Sequence, residues 1–175
     1  MLIKLKRAIE LWRYLTYSPQ KYAKHIGVNM GTDNFIPDKR CWSSEPYLIT
    51  VGSHCQITHG VRFFTHGGAN VVREMYPDFD VFGKIIIGDW VYIGSGALIM
   101  PGVTIGNHAL VAAGSVVTRS VPSGMIVAGN PARIIGNVDD YIKRNMPYNL
   151  NSKRLTRSEK RDLLLSLPDE RFIRK

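Results

Sequence analysis

The chain has 175 residues, with 23 Lys and Arg against 14 Asp and Glu, a formal charge of +9; that length makes one domain, and that charge suits a polyanionic small molecule, an anionic surface or nucleic acid. Its 45% hydrophobic and 21% charged residues are ordinary globular usage, which excludes a disordered or collagen-like chain in spite of 16 Gly and 9 Pro. Apolar runs are short and broken by Gly or charge, far from the roughly 20 residues of a membrane span, and the only cysteines, Cys41 and Cys55, lack CxxC or metal spacing, which excludes a disulfide scaffold.

Residues 1–25 read as an N-terminal amphipathic helical segment. Leu2, Leu5, Ile9, Trp12 and Leu15 fall at helical spacing, with Lys4, Lys6, Arg7 and Arg13 between them. Charge interleaved this way is not the uninterrupted apolar core of a secretory signal, so a cytoplasmic protein is expected. The apolar stripe is expected to pack against the end of the domain; the sharper alternative is a peripheral contact with an anionic membrane.

Further along, an aliphatic or aromatic residue recurs at every sixth place: Val51, Ile57 and Phe63, then Ile87, Ile93, Ile99, Ile105, Val111 and Val117. The fifth place is mostly small, as in Cys55, Ala97, Ala109 and Ser115, and the second is often Gly, as in Gly88, Gly94 and Gly106. A helix repeats at 3.6 and a half-buried strand at 2, so neither explains this period. A coil with flat sides does. Each side is a very short strand whose first and fifth residues point inward, with Gly expected to ease the backbone round the corner. Three sides close one turn, and stacked turns pair as parallel strands about 4.8 Å apart. Residues 87–122 supply two such turns and 51–68 about one more.

Between 68 and 86 the register is interrupted and then resumes, which predicts a protruding loop with His66 at its root; long ordered loops are more often functional than accidental. Residues 137–175 form a C-terminal helical tail. Within it, Thr156 and Glu159 make a capping-box pattern, Pro168 stops the helix, and Leu163, Leu164, Leu165 and Leu167 need a partner surface.

The run Ile87-Gly-Asp-Trp-Val-Tyr-Ile-Gly-Ser-Gly through Val121-Pro122, followed by Val127-Ala-Gly-Asn-Pro-Ala-Arg133, resembles the left-handed β-helix hexapeptide-repeat acyltransferases. The resemblance covers about residues 26–136. It implies an all-β fold, a left-handed parallel β-helix in the form of a triangular prism, with the protruding loop and flanking N- and C-terminal α-helices. The hand comes from the family alone, since the general crossover rule gives the opposite. Ser44-Glu-Pro-Tyr-Leu-Ile49 and Gly60-Val-Arg-Phe-Phe-Thr-His-Gly-Gly68 are similar to acetyltransferases of surface polysaccharide biosynthesis. The resemblance therefore also implies acetyl-CoA as co-substrate, a sugar or sugar-nucleotide acceptor and a homotrimer.

Direct acyl transfer needs a base for the acceptor proton, and a neutral imidazole suits that task at physiological pH. Of His25, His54, His59, His66 and His108, the catalytic histidine of the galactoside acetyltransferase branch matches His66, with His59 as runner-up. Glu45 is expected to orient the imidazole or to bind acceptor hydroxyls. The family motifs place Ser95, Ala113, Thr118, Arg119 and Arg133 beside the cofactor, with both arginines facing its phosphates; small residues at 95 and 113 also suit the repeat itself. Cys55 at an inward place, and the lack of a Gly-x-Ser-x-Gly elbow, leave no covalent nucleophile. Alternatives are N-acetylation of an amino sugar or other amine, and a metal-dependent carbonic-anhydrase-like branch suggested by His54 and His59. The phase of those two histidines is wrong for that branch and no metal is expected. Basic residues avoid the coils and no aromatic-basic platform is visible, so no nucleic-acid partner is expected.

Overall fold

A computed structural model describes residues 2–174; Met1, Lys175 and the side chain of Leu2, which the helical pattern counts, lie outside the described residues. Two helices come first, α1 (Leu2–Thr16) and α2 (Pro19–His25). The Ser18 side chain accepts from the Lys21 amide and Pro19 opens α2, a start that needs no amide donor from proline. The apolar stripe of α1 does not pack on the domain as expected: Ile3, Leu5, Ile9, Leu11, Trp12 and Leu15 are all exposed. What anchors α1 is its C-terminal half, where Glu10 lies 3.1 Å from Nε2 of His25 in α2. Lys39 donates to the Tyr14 carbonyl, Arg40 donates to the Tyr14 hydroxyl at 2.9 Å, and the Tyr14 ring meets Tyr22 of α2 edge-on.

The remainder of the first unit, which ends at Val138, winds through short strands: β1 (Asn29–Met30), β2 (Ile49–Val51), β3 (Gln56–Ile57), β4 (Arg62–Phe63), β5 (Ile85–Ile87), β6 (Tyr92–Ile93), β7 (Leu98–Ile99), β8 (Thr104–Ile105), β9 (Leu110–Val111) and β10 (Val116–Val117). They sort into three parallel faces, β1-β2-β5-β8, then β3-β6-β9, then β4-β7-β10. Partners lie one turn apart, Ile87 with Ile105, Ile93 with Val111 and Ile99 with Val117. The chain therefore visits three faces in order and stacks each turn on the last. Every first-place residue from Val51 to Val117 is at most 2% exposed, and each such aliphatic side chain contributes about 1.5–3 kcal/mol by leaving water.

The glycines differ from expectation in their role. Positive φ falls at the fourth place, in Gly60, Gly96, Gly102 and Gly114, and in His54, Trp90 and His108 at φ of 59°, 58° and 56°. The second-place glycines have no positive φ; they are small because the next turn lies against them. A Cβ on Gly94 would stand 2.5 Å from the Ala113 amide nitrogen, and one on Gly106 2.5 Å from that of Ser123. Close stacking, not cornering, selects Gly there. At one corner the strained residues support one another, with the His54 and Trp90 rings stacked at 4.3 Å and Trp90 parallel to His108 at 6.5 Å.

Two parts of this unit escape the six-residue pattern. A first, irregular turn buries Val28, Met30, Ile36 and Cys41 and is offset from the second by 21 residues, Met30 against Val51. At the other end β11 (Met125–Gly129) joins β9 in parallel and folds back antiparallel on β12 (Ala132–Asn137). The second unit, Asp139–Lys175, holds most of α3 (Val138–Asn145) and all of α4 (Arg157–Ser166). The Thr156 and Glu159 capping box opens α4 as predicted, the Glu159 carboxylate accepting from the Thr156 amide at 2.8 Å; Leu164 and Leu165 are exposed. Among the described residues no helix is long and apolar enough to cross a membrane.

Replacing Gly94 by Ala is expected to cost about 1–3 kcal/mol, the range for overpacking a close contact. Gly136→Ala, where an added Cβ meets nothing within 4 Å, should change stability little. Chemical denaturation of the two variants beside the parent measures the difference.

Candidate active site

The 21-residue offset of the first turn sets Glu45 against His66. His66 follows β4 at a corner where the chain leaves the coil, and the return is pinned beside it: the Gly83 amide donates to the Thr65 carbonyl at 2.7 Å, and Phe82 bridges to His66 in antiparallel fashion with ring centroids 5.7 Å apart. The loop closes on itself through Arg73, whose guanidinium donates to the Phe79 carbonyl at 3.4 Å and lies 3.9 Å from Asp80.

The His66 side chain is 38% exposed and that of Glu45 18%, with Nδ1 of His66 2.7 Å from Oε2 of Glu45. A carboxylate only accepts, so Nδ1 carries a proton, and in the neutral imidazole the lone pair is then on Nε2. The Thr65 hydroxyl donates to the same Oε2 at 2.6 Å. That hydroxyl, and then His66 and Ser44, hold the Glu45 carboxyl below the usual carboxylate range against the opposing effect of burial. Glu45 is thus a fixed anion behind an imidazole whose other nitrogen is basic. Beside them lies a hollow of about 470 Å³ lined by Trp42, Ser43, Ser44, Arg62, Phe64 and His66, among others. Ser43 escapes a reading of the sequence because the irregular first turn, not the six-residue period, brings it to Thr65, and Phe82 because the returning loop carries it to His66; the one signal available is that Ser43 and Glu45 precede Thr65 and His66 by 22 and 21 residues.

The remaining histidines are differently placed. His59 is 75% exposed and paired with Asp38 at 3.3 Å, while His54 stacks on Trp90 and lies 3.9 Å from Asp33. The two sit with different carboxylates, and among the described residues no group of three or more His, Cys, Asp or Glu could hold a metal. Both thiols are buried; burial pushes that of Cys41 up to about 12 and raises that of Cys55, leaving neither as a thiolate nucleophile near neutral pH.

Arg119 and Arg133, 14 residues apart in sequence, line a single hollow of about 290 Å³ with Val117, Ser120, Ala132 and Ile134. Ser95 and Ala113 occupy successive rungs of another corner, where the Gly114 amide donates to the Ser95 carbonyl at 2.8 Å and the Ser95 hydroxyl to Thr58 Oγ1 at 3.1 Å. Thr118 directly precedes Arg119 after β10. Ser95 and Ala113 lie in the corner where the chain enters the β4-β7-β10 face, whereas His66, Thr118 and Arg119 lie where it leaves. One chain therefore presents these groups at opposite edges of one face.

Comparison with known proteins agrees with this architecture. The family described as bacterial transferase hexapeptide (six repeats) matches residues 83–119. Protein CapG of Staphylococcus aureus is 44% identical over 82% of this chain and 85% of its own length. Galactoside O-acetyltransferase of Escherichia coli is 33% identical over 68% of this chain and 56% of its own. A solved hexapeptide-repeat-containing acetyltransferase of Vibrio cholerae shares the fold at a TM-score of 0.61 and 24% identity, over 79% of this chain and 93% of that one. With two stacked turns of six-residue sides at its centre and a close relative matched over most of both lengths, the chain belongs to the hexapeptide-repeat transferase family and is an acyltransferase.

Proposed function

We propose that this enzyme is an acetyl-CoA-dependent O-acetyltransferase that acts on a sugar hydroxyl in polysaccharide biosynthesis, with a left-handed coil and His66 as general base. The observation that carries this reading is the 2.7 Å pair of His66 and Glu45 at the root of the loop, beside an open hollow. The acceptor O–H gives its proton to Nε2 of His66 as its oxygen attacks the thioester carbonyl carbon. The tetrahedral oxyanion then collapses, the C–S bond breaks, and the CoA thiolate leaves and takes up the proton from the imidazolium. Glu45 stabilises the imidazolium between those two transfers.

The site residues suit the donor. Arg119 and Arg133 converge on one hollow, as paired cations must to hold the phosphates of CoA, and Ser95 and Ala113 offer a narrow corner for the pantetheine chain. The separation of Ser95 and Ala113 from the corner of His66, Thr118 and Arg119 supports a homotrimer in which the Ser95 corner of one copy meets the His66 corner of the next. The loop supports the same assembly. Val71, Met75, Tyr76, Val81 and Phe82 stand exposed in the single chain, an apolar surface suited to a neighbouring copy and to covering the acceptor.

His66→Ala should lower turnover by about two to four orders of magnitude, as expected for a positioned base, with little loss of stability, whereas His59→Ala should cost far less; thiol-release kinetics with acetyl-CoA and a panel of sugars and amino sugars decide this. Arg119→Ala and Arg133→Ala should each raise KM for acetyl-CoA more than they lower kcat, and an unchanged KM in both removes them from the site. Sedimentation at micromolar concentration should give a trimer, and a stable monomer would count against a site shared between copies.

A further inference from the structure

Proton accounting behind Glu45 singles out two hydroxyls. Thr65 is fully buried. Its Oγ1 lies 2.6 Å from Glu45 Oε2 and 2.8 Å from Ser43 Oγ, and its backbone amide donates to that same Ser43 Oγ at 3.2 Å. Each hydroxyl has one proton to give. If Thr65 gave its proton to Ser43, its oxygen would face a carboxylate oxygen at 2.6 Å with no hydrogen between them, an unpaired and repulsive contact out of reach of water. The Thr65 proton therefore goes to Glu45. With the Thr65 proton spent on Glu45, the 2.8 Å contact between the two hydroxyls is a hydrogen bond only with Ser43 as its donor. The order is settled from end to end: Thr65 amide to Ser43, Ser43 to Thr65 hydroxyl, Thr65 hydroxyl to Glu45.

Oε2 of Glu45 also receives Nδ1 of His66 at 2.7 Å. Two donors on one oxygen, one of them anchored through Ser43 to the backbone, leave the carboxylate no freedom to turn away from the imidazole or to take up a proton on that oxygen. We propose that Thr65 and Ser43 are positioning residues of the acyl transfer: their hydroxyl chain holds Glu45 as an oriented anion and so fixes His66 in the tautomer with a bare Nε2. Thr65 is fully buried and out of reach of substrate; both hydroxyls act through Glu45. The assignment rests on His66 being the base and deepens it, because a base with its proton on the wrong nitrogen cannot accept one from the acceptor.

A purely structural role would make Thr65 a buried hydroxyl satisfied by its neighbours, and its loss would then lower stability without touching the imidazole. The two cases separate in one experiment. Trimeric enzyme labelled with 15N-histidine is examined at about pH 8, above the ordinary imidazole range, with the His66 signals identified by their loss in His66→Ala. The parent should show Nδ1 protonated and Nε2 bare. Thr65→Val, close to Thr in shape, should show a mixture of tautomers and a kcat about ten- to a hundredfold lower at unchanged KM for acetyl-CoA. Thr65→Ser should restore most of both, and Ser43→Ala should move both in the direction of Thr65→Val by a smaller step.

Parental tautomer and kcat in Thr65→Val overturn the proposal, as does a Thr65→Ser variant as impaired as Thr65→Val. If Thr65→Val does not fold, Ser43→Ala and Thr65→Ser carry the same two readouts, and a parental tautomer with parental kcat in Ser43→Ala overturns the hydroxyl chain. Failure of the base itself looks different: His66→Ala would keep its turnover while the tautomer of the parent still reported on Thr65.

Discussion

A strand of two residues has no stability of its own, and in this protein such strands are fixed by backbone hydrogen bonds to the turns stacked on them. The Gly52 amide reaches the Ile87 carbonyl and the Gly88 amide the Ile105 carbonyl, both at 2.8 Å. That spacing aligns Val51, Ile87 and Ile105 in one buried column and sets Ile57, Ile93 and Val111 in another. It also leaves no room for a side chain at Gly94 or Gly106. The hydrophobic columns, the pattern of glycines and the flatness of the faces are consequences of one close stacking distance.

The candidate site arises where this stacking is interrupted. Thr65 and Gly83 meet through a backbone hydrogen bond, so 17 intervening residues leave the coil and return without disturbing the turn above. A side chain at that junction is not needed to fill the core, and His66 can stand half-exposed with a carboxylate behind it. The irregular first turn supplies that carboxylate. This turn places Ser43 and Glu45 against Thr65 and His66, and so builds a hydrogen-bonded polar cluster at the corner where the chain leaves the coil.

The loop and α1 are among the places where the first unit leaves apolar surface uncovered. The loop exposes Met75, Tyr76 and Phe82, and α1 exposes a stripe containing Leu5, Ile9, Trp12 and Leu15. The loop lies beside the His66 corner. The stripe of α1 stays largely exposed, with Trp12 edge-on to Tyr17, although its last turn is tied down through Tyr14 by Lys39 and Arg40.

By itself the sequence determined a flat-sided coil, because inward residues at the first and fifth of every six places fit neither a helix nor a half-buried strand, and the same period located the loop by its absence. It marked the capping box at Thr156, whose partners are three residues apart. It singled out His66 by its place at the break and Glu45 through family resemblance, as it did Arg119 and Arg133. Only the tertiary structure decided that Glu45 touches His66, that the two arginines share one hollow and that Thr65 and Ser43 stand behind the pair. Those contacts depend on the offset between stacked turns, and in the irregular first turn that offset is 21 residues, a number no six-residue period contains. The same holds for the second-place glycines: periodicity marks where they fall, but the distance to the next turn is a property of the stack, and it alone explains why a side chain cannot stand there.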